Sequence, residues 1–237
     1  ESSHDAFLER IWPGHPLSRK IAGEVDDISN VNRTALYDFY KRHVCLSRLV
    51  ATVSGPIDES TVGEELAHLL EKTLADAGPP CEYPAETQPV FSPICDFMEA
   101  PIAQVYLYEA VQLPDTARPD DYYTLSVMNG ALGESMSSRL FQNLREKQGL
   151  CYAVYSAFSI DRGLCLWMAN ASSSQRSFPR LVAALDDEIE QLALGGAGLL
   201  SEEEVTESVS RVAGSFELAL EDPEYRMKRL ARQQLNN

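Results

Sequence analysis

The sequence predicts an α+β fold with antiparallel or mixed sheets, and three observations carry that reading. Strand-like runs come in groups and helical repeats come in groups, instead of alternating one for one. Pro79, Pro80, Pro84, Pro89 and Pro93 crowd residues 78–93, a density no helix or central strand tolerates. That stretch reads as a linker between residues 1–77 and residues 94–237. The 237 residues are 44% hydrophobic, enough for one large domain or two smaller ones with real cores.

Each element has a local reason. Residues 3–11 place Phe7, Leu8 and Ile11 on one helical face. Trp12-Pro13-Gly14-His15-Pro16 then breaks the chain into a loop. Leu36, Phe39, Tyr40 and Val44 recur at helical spacing over residues 33–44. Residues 48–57 are valine-rich and end at Gly55-Pro56, which predicts a strand. Asp58 or Ser60 caps a helix whose apolar stripe is Val62, Leu66, Leu69, Leu70 and Thr73. After the linker, strands are predicted at 94–99 and 103–113. Pro119-Asp120 opens a helix with Tyr123, Val127, Met128 and Ala131, and a shorter helix at 137–147 turns Leu140, Phe141 and Leu144 inward. Gly149 stands where a helix end favours a left-handed residue. Strands at 152–159 and 163–170 join at Asp161-Arg162-Gly163. Three helices close the chain: one from Phe178 to Gly195-Gly196, one opened by the capping box Ser201/Glu204, and one from Pro223.

Composition excludes several functions. The net charge of -16 repels phosphate backbones, so nucleic acid is not an expected partner. No apolar run approaches the roughly 20 residues of a membrane span. The five cysteines are odd in number and form no C-x-x-C, which argues against a disulfide framework or structural zinc. Free thiols are compatible with a soluble, cytoplasmic protein, although nothing in the sequence assigns a compartment.

Most catalytic patterns fail. There is no G-x-G-x-x-G and no Walker loop. Gly133-Glu134-Ser135-Met136-Ser137 lacks the closing glycine of a nucleophile elbow and reads as a helix start. His68-Leu69-Leu70-Glu71-Lys72 stops one residue short of the inverted zinc motif H-x-x-E-H. Lys72 stands where a second histidine is needed, and His68 and Glu71 share a polar face with Glu64 and Glu65. No complete metal site is expected. The informative segment is 133–155, a helix, a glycine stop and a strand. Arg145 in the last helical turn suits the helix C-terminus, and Tyr152 suits half-buried packing. Together they also suit binding of a peptide carbonyl or a developing oxyanion at one end of a sheet.

Met136-Ser-Ser-Arg-Leu-Phe-Gln-Asn-Leu-Arg-Glu-Lys-Gln-Gly-Leu-Cys-Tyr152 resembles a signature of the pitrilysin, insulinase and mitochondrial-processing-peptidase superfamily of zinc peptidases. Trp12-Pro-Gly-His-Pro-Leu-Ser-Arg19, Arg48-Leu-Val-Ala-Thr-Val-Ser-Gly55 and Glu217 to Leu235 agree in order and spacing. The resemblance implies two related α+β subdomains, each a mostly antiparallel sheet with helices on one side. Residues 1–77 would be the C-terminal part of the first, and residues 94–237 the second, cut short at its end. It implies that Arg145 anchors substrate backbone carbonyls and Tyr152 hydrogen-bonds the scissile carbonyl. In that family zinc sits on H-x-x-E-H in the facing half. By resemblance, that motif would precede residue 1 or belong to a partner, and this chain would hold no zinc and be inactive alone. The implied partners are a peptide substrate and a second half of the same polypeptide, a second copy or a related subunit. The function implied is part of a zinc endopeptidase. The alternatives are a non-catalytic, peptide-binding partner half and a structural relative like the core subunits of a respiratory complex.

Overall fold

The computed structural model describes residues 3–74, 89–113, 119–161, 164–195 and 199–235. Contacts divide the chain into two compact units: Glu1–Arg19 with Gln88–Phe216, and Lys20–Thr87 with Glu217–Asn237. The fold is α+β, as the grouping of apolar patterns predicts. Most of the expected linker at 78–93 lies outside the described residues.

The first unit is built on a three-stranded antiparallel sheet in the order β1-β3-β2. The strands are β1 (Val105–Leu113), β2 (Ala153–Asp161) and β3 (Leu164–Ser173). In register, Leu107 and Val154 flank Ala171, while Val111 and Phe158 flank Trp167. Directly paired residues share a face, so these side chains line one surface. Helices α5 (Pro119–Leu132) and α6 (Phe178–Leu194) pack on it. Leu132, Leu140, Leu144, Leu181 and Leu185 are buried there against Ala169 and Ala171. The other face is covered at one end by α1 (Ser3–Ile11) and Trp12. Ile11 and Trp12 are buried on Leu164 and Leu166, and the Trp12 indole N–H donates to Gln112 Oε1 at 3.3 Å. The first part of α7 (Glu202–Glu221) also belongs to this unit. Its predicted capping box is present: the Glu204 amide donates to Ser201 Oγ at 3.2 Å and the Ser201 amide to Glu204 Oε2 at 2.7 Å.

The second unit contains α2 (Val25–Asn30), α3 (Arg33–His43), α4 (Glu59–Thr73) and α8 (Pro223–Leu235). Asp58, not Ser60, caps α4, its carboxylate accepting from the Thr61 amide at 3.0 Å. The α4 stripe is only half realised: Val62, Leu66 and Leu70 are half-buried, whereas Leu69 and Thr73 are exposed. Leu36, Phe39 and Tyr40 of α3 are also exposed rather than buried. Helix α2 lies outside the predicted elements; Glu24 and Asp27 form a reciprocal cap at its start.

Two predicted strands are absent. Where a strand is predicted at residues 48–57, a 3-10 turn at Leu46–Arg48 leads into residues 49–57, which run without a ladder. β-propensity needs a pairing partner to become a strand, and no strand is described in this unit. Residues 94–99 also form no ladder. Asp96 accepts from Arg10 Nε at 2.7 Å and from the Phe97 amide at 2.8 Å, local bonds that compete with pairing.

Among the described glycines, the tightest approach to another backbone is at Gly133. Its carbonyl accepts from the Ser156 amide at 3.0 Å, and a Cβ there would lie 2.6 Å from that same nitrogen. Gly133→Ala should therefore destabilise the fold by about 1–3 kcal/mol. Gly63→Ala in α4, where a Cβ meets nothing within 4 Å, should instead stabilise by about 0.5–1 kcal/mol. Urea unfolding of both variants checks the pair.

Candidate functional site

The segment from Gly133 to Tyr152 carries both predicted site residues, and its geometry is heavily determined. Ser138 Oγ donates to the Ser135 carbonyl, and Gln142 Nε2 donates to the Met136 carbonyl at 2.7 Å. Directly after the two helical residues 139–140 the backbone widens into a π-helix at Phe141–Lys147, in place of the regular helix predicted at 137–147. Such wide turns are rare and recur at functional sites. The turn closes where the Gly149 amide bonds the Arg145 carbonyl at 3.1 Å and the Leu150 amide bonds the Leu144 carbonyl at 2.9 Å. Gly149 has φ of 60°, the left-handed conformation predicted for it.

Arg145 lies on the exposed side of this turn, its side chain 43% accessible. Its guanidinium stacks 4.7 Å from the centre of the Phe141 ring, one helical turn earlier. Glu146 is 3.9 Å away, an exposed pair of little energetic weight. The charge of Arg145 is felt at Cys151, where it opposes the upward push of burial on the thiol. Tyr152 donates its amide to the Ser172 carbonyl at 2.8 Å, so its backbone is tied to β3 while the residue is 58% exposed. Both side chains therefore stand in solvent on either side of the Gly149 turn. No hydrogen bond or ion pair is described between them.

Long-range anchors hold the segment. Arg139 Nη2 meets Glu204 Oε2 at 2.7 Å and Arg139 Nε meets the other carboxylate oxygen at 2.7 Å, a bidentate pair. Arg139 also donates to the Leu199 carbonyl at 2.9 Å. The Glu204 carboxyl is held down at about 2, first by Arg139 and then by the Ser201 amide and hydroxyl, against the cost of burial. Asn143 Nδ2 donates to Glu188 Oε1 on α6 at 2.6 Å. Leu140 and Leu144 are fully buried beneath. None of these anchors was read from the sequence. Arg139 and Glu204 are 65 residues apart, and the capping role of Glu204 was its only visible signal.

Other titratable groups lie elsewhere in the first unit. Glu109 on β1 is pushed up to about 7, mainly by burial and then by Asp186 on α6. Both line a cavity of about 530 Å³ that includes neither Arg145 nor Tyr152. Among the described residues no group of three or more His, Cys, Asp or Glu side chains is placed to hold a metal. His68 and Glu71 are exposed on α4. The described residues do not fit a zinc site. No helix among the described residues is long and apolar enough to cross a membrane.

Known proteins resemble this chain over most of its length. The family described as "Peptidase M16 inactive domain" matches residues 30–212. An uncharacterized zinc protease of Streptomyces coelicolor is 30% identical over 239 residues, covering 98% of this chain and 50% of its own length. An uncharacterized zinc protease of Mycobacterium bovis is 28% identical over 233 residues, covering 98% and 52%. A probable inactive metalloprotease of Bacillus subtilis is 23% identical over 189 residues, covering 80% and 43%. A solved peptidase M16 inactive domain from Pseudomonas fluorescens superposes with a TM-score of 0.81 at 21% identity, covering 99% of this chain and 55% of that one. Complex III2 from Candida albicans contains a chain with the same fold, at TM-score 0.68 and 14% identity, covering 98% and 56%. This chain belongs to the peptidase M16 inactive-domain family. It spans about half the length of the curated relatives it matches.

Two pH effects of opposite sign follow from the carboxylates. Glu204 has a folded pKa near 2 against an ordinary 4.5. The stability it contributes is present above pH 4.5 and is lost as pH falls towards 2. Glu204→Gln should cost on the order of 1–2 kcal/mol at pH 7, allowing for partial exposure, and flatten the acid limb. Glu109 is raised, so it binds a proton more tightly folded than unfolded, and stability falls as pH rises from 4.5 through 7. Glu109→Gln should be more stable than the parent at pH 8 and indistinguishable at pH 4. Thermal melts across pH read both.

Proposed function

We propose that this chain is part of a zinc-dependent endopeptidase and supplies the groups that hold substrate backbone against the catalytic centre. The observation that carries the reading is the pair of exposed polar side chains, Arg145 and Tyr152, on a segment whose own backbone and underside are fully committed. An exposed guanidinium offers a fork of donors to peptide carbonyls. A phenol offers one donor to a carbonyl whose charge grows as it is attacked. Their mounting on a clamped turn limits the reorganisation needed when substrate arrives. Membership in a peptidase family whose relatives are named zinc proteases supports the same reading.

In this reading zinc and its ligands belong to the other half of the assembly, as the family resemblance implies; among the described residues no group of three or more His, Cys, Asp or Glu side chains is placed to hold a metal. That half is a second part of the same polypeptide, a second copy or a related subunit, and the partner it closes upon is a peptide. Residues 78–93 join the two subdomains in this reading. A second reading, a non-catalytic half that binds peptide or a catalytic partner, is favoured by the family's "inactive" description and by the Bacillus subtilis relative.

In the assembled protein Tyr152→Phe should lower kcat by roughly 100-fold, the effect of removing one oxyanion donor. Arg145→Ala should act mainly by raising KM for a fluorogenic peptide. Neither should lower the melting temperature by more than a degree or two, because both side chains are exposed. Unchanged kinetics in both variants would remove the assignment. An assembled protein that binds peptide through these residues without cleaving it would favour the second reading.

A further inference from the structure

Among the described residues of the first unit, buried polar side chains find partners inside the protein, with two exceptions. Ser18, Ser138, Ser173 and Ser208 donate to backbone carbonyls, and Ser156 donates to Asn129. Asn170 and Ser172 on β3 are 5% and 6% exposed, yet neither side chain has a hydrogen-bond partner among the described residues. Folded proteins rarely leave such groups unbonded. Neither group is sealed off. Among the described residues, the Trp167 indole nitrogen is the one fully enclosed side-chain nitrogen or oxygen without a partner, and Trp167 belongs to the core face. The Asn170 carboxamide and the Ser172 hydroxyl therefore keep a narrow opening, on the opposite face of the strand.

The sheet gives that opening a shape. Asn170 is paired with Tyr108 on one side and Tyr155 on the other, and Ser172 with Tyr106 and Ala153. Directly paired residues share a face, so the two polar groups form a floor between aromatic walls. The β1 wall is fixed: Tyr108 stacks on Phe7 at 5.3 Å between ring centres, and its hydroxyl lies 2.8 Å from Ser3 Oγ. Two strand spacings, roughly 10 Å, separate β1 from β2 across this floor, room for one extended chain. Asn170 and Ser172 are two residues apart, about 7 Å along the strand, which is also the repeat between alternate peptide groups of an extended chain. The floor begins beside the candidate site, because the Ser172 carbonyl holds the Tyr152 amide.

We propose that Asn170 and Ser172 form a second peptide subsite, hydrogen-bonding alternate peptide groups of an extended substrate that Arg145 and Tyr152 hold at its other end. The proposal rests on the substrate-holding role given to that pair above. A carboxamide offers donors and an acceptor, which match the C=O and N–H of a peptide group, and a hydroxyl supplies one more bond of either kind. An apolar ligand would leave both groups unbonded, at a cost. A charged ligand finds no opposite charge, because the floor and its walls are asparagine, serine, alanine and tyrosine. Substrate residues that face the floor must be small, since α1 pins Tyr108 in place.

Fluorescence anisotropy of a fluorescein-labelled peptide tests this on the assembled protein, with chelator present so that nothing is cleaved. Asn170→Leu, a change of nearly equal shape, and Ser172→Ala should each weaken binding roughly tenfold. The melting temperature should stay level or rise, since no internal bond is lost. Replacing the peptide's backbone amides by esters, one at a time, should find a position whose penalty in the parent vanishes in Asn170→Leu. Unaltered affinity in both variants overturns the proposal. So does an ester penalty that persists in Asn170→Leu, or a lowered melting temperature, which marks a structural bond instead. A parent protein that binds no peptide overturns both this subsite and the reading of Arg145 and Tyr152. Weakened binding in Asn170→Leu but not in Arg145→Ala or Tyr152→Phe removes that reading and leaves the subsite standing.

Discussion

Strand β3 is covered on both faces, and the rest of the first unit is arranged around that constraint. Nine of its ten residues are buried. Ala169 and Ala171 are fully inaccessible and small enough to let the helices above them approach closely. On the opposite face, Leu164 and Leu166 seat Trp12 and Ile11. A central strand with both faces covered specifies its register strongly, because a one-residue slip would exchange the two sets of side chains. β1 and β2 inherit their alignment from it, and so does the start of β2, where Tyr152 is tied to Ser172.

The candidate site rests on that sheet through a short, crowded path. Gly133 touches the backbone of β2, Leu140 and Leu144 fill the space beneath, and the Arg139–Glu204 and Asn143–Glu188 pairs fix the segment to α7 and α6. The widened turn at Phe141–Lys147 lets the chain enter β2 directly after Gly149. Flexibility at such a position would blur the presentation of Arg145 and Tyr152. The number of anchors on so short a stretch explains why the side chains can be exposed while the backbone is not free.

The two units differ in how they are stabilised. Among the described residues, the two apolar clusters of buried side chains lie in the first. In the second, Ile21, Val25, Ile28, Leu36 and Phe39 are all more than half exposed. Helix capping and local hydrogen bonds give its elements definition without a comparable core, as with Asp58 on α4 and Asn32 on α3. Its valine-rich segment forms no ladder although the propensity is present, because no strand among the described residues of this unit lies beside it.

Much of this protein was legible in its sequence because the signals are local. Apolar period, caps at Asp58 and Ser201, and the glycine stop at Gly149 placed the helices and the turn of the site, and the ordered motifs named the family. The predicted strands at 48–57 and 94–99 fail because a strand is a relation between two segments, and sequence states only one side of it. The same limit applies at the site. Arg145 and Tyr152 could be picked out by type and spacing, whereas the Arg139–Glu204 clamp joins residues 65 positions apart. The Glu109–Asp186 pair depends on α6 crossing β1. The sequence by itself determined most of the helical segments and offered Arg145 and Tyr152 as candidates for binding. Only tertiary structure decided which of them meet, because contacts distant along the chain arise from packing and leave no local pattern behind.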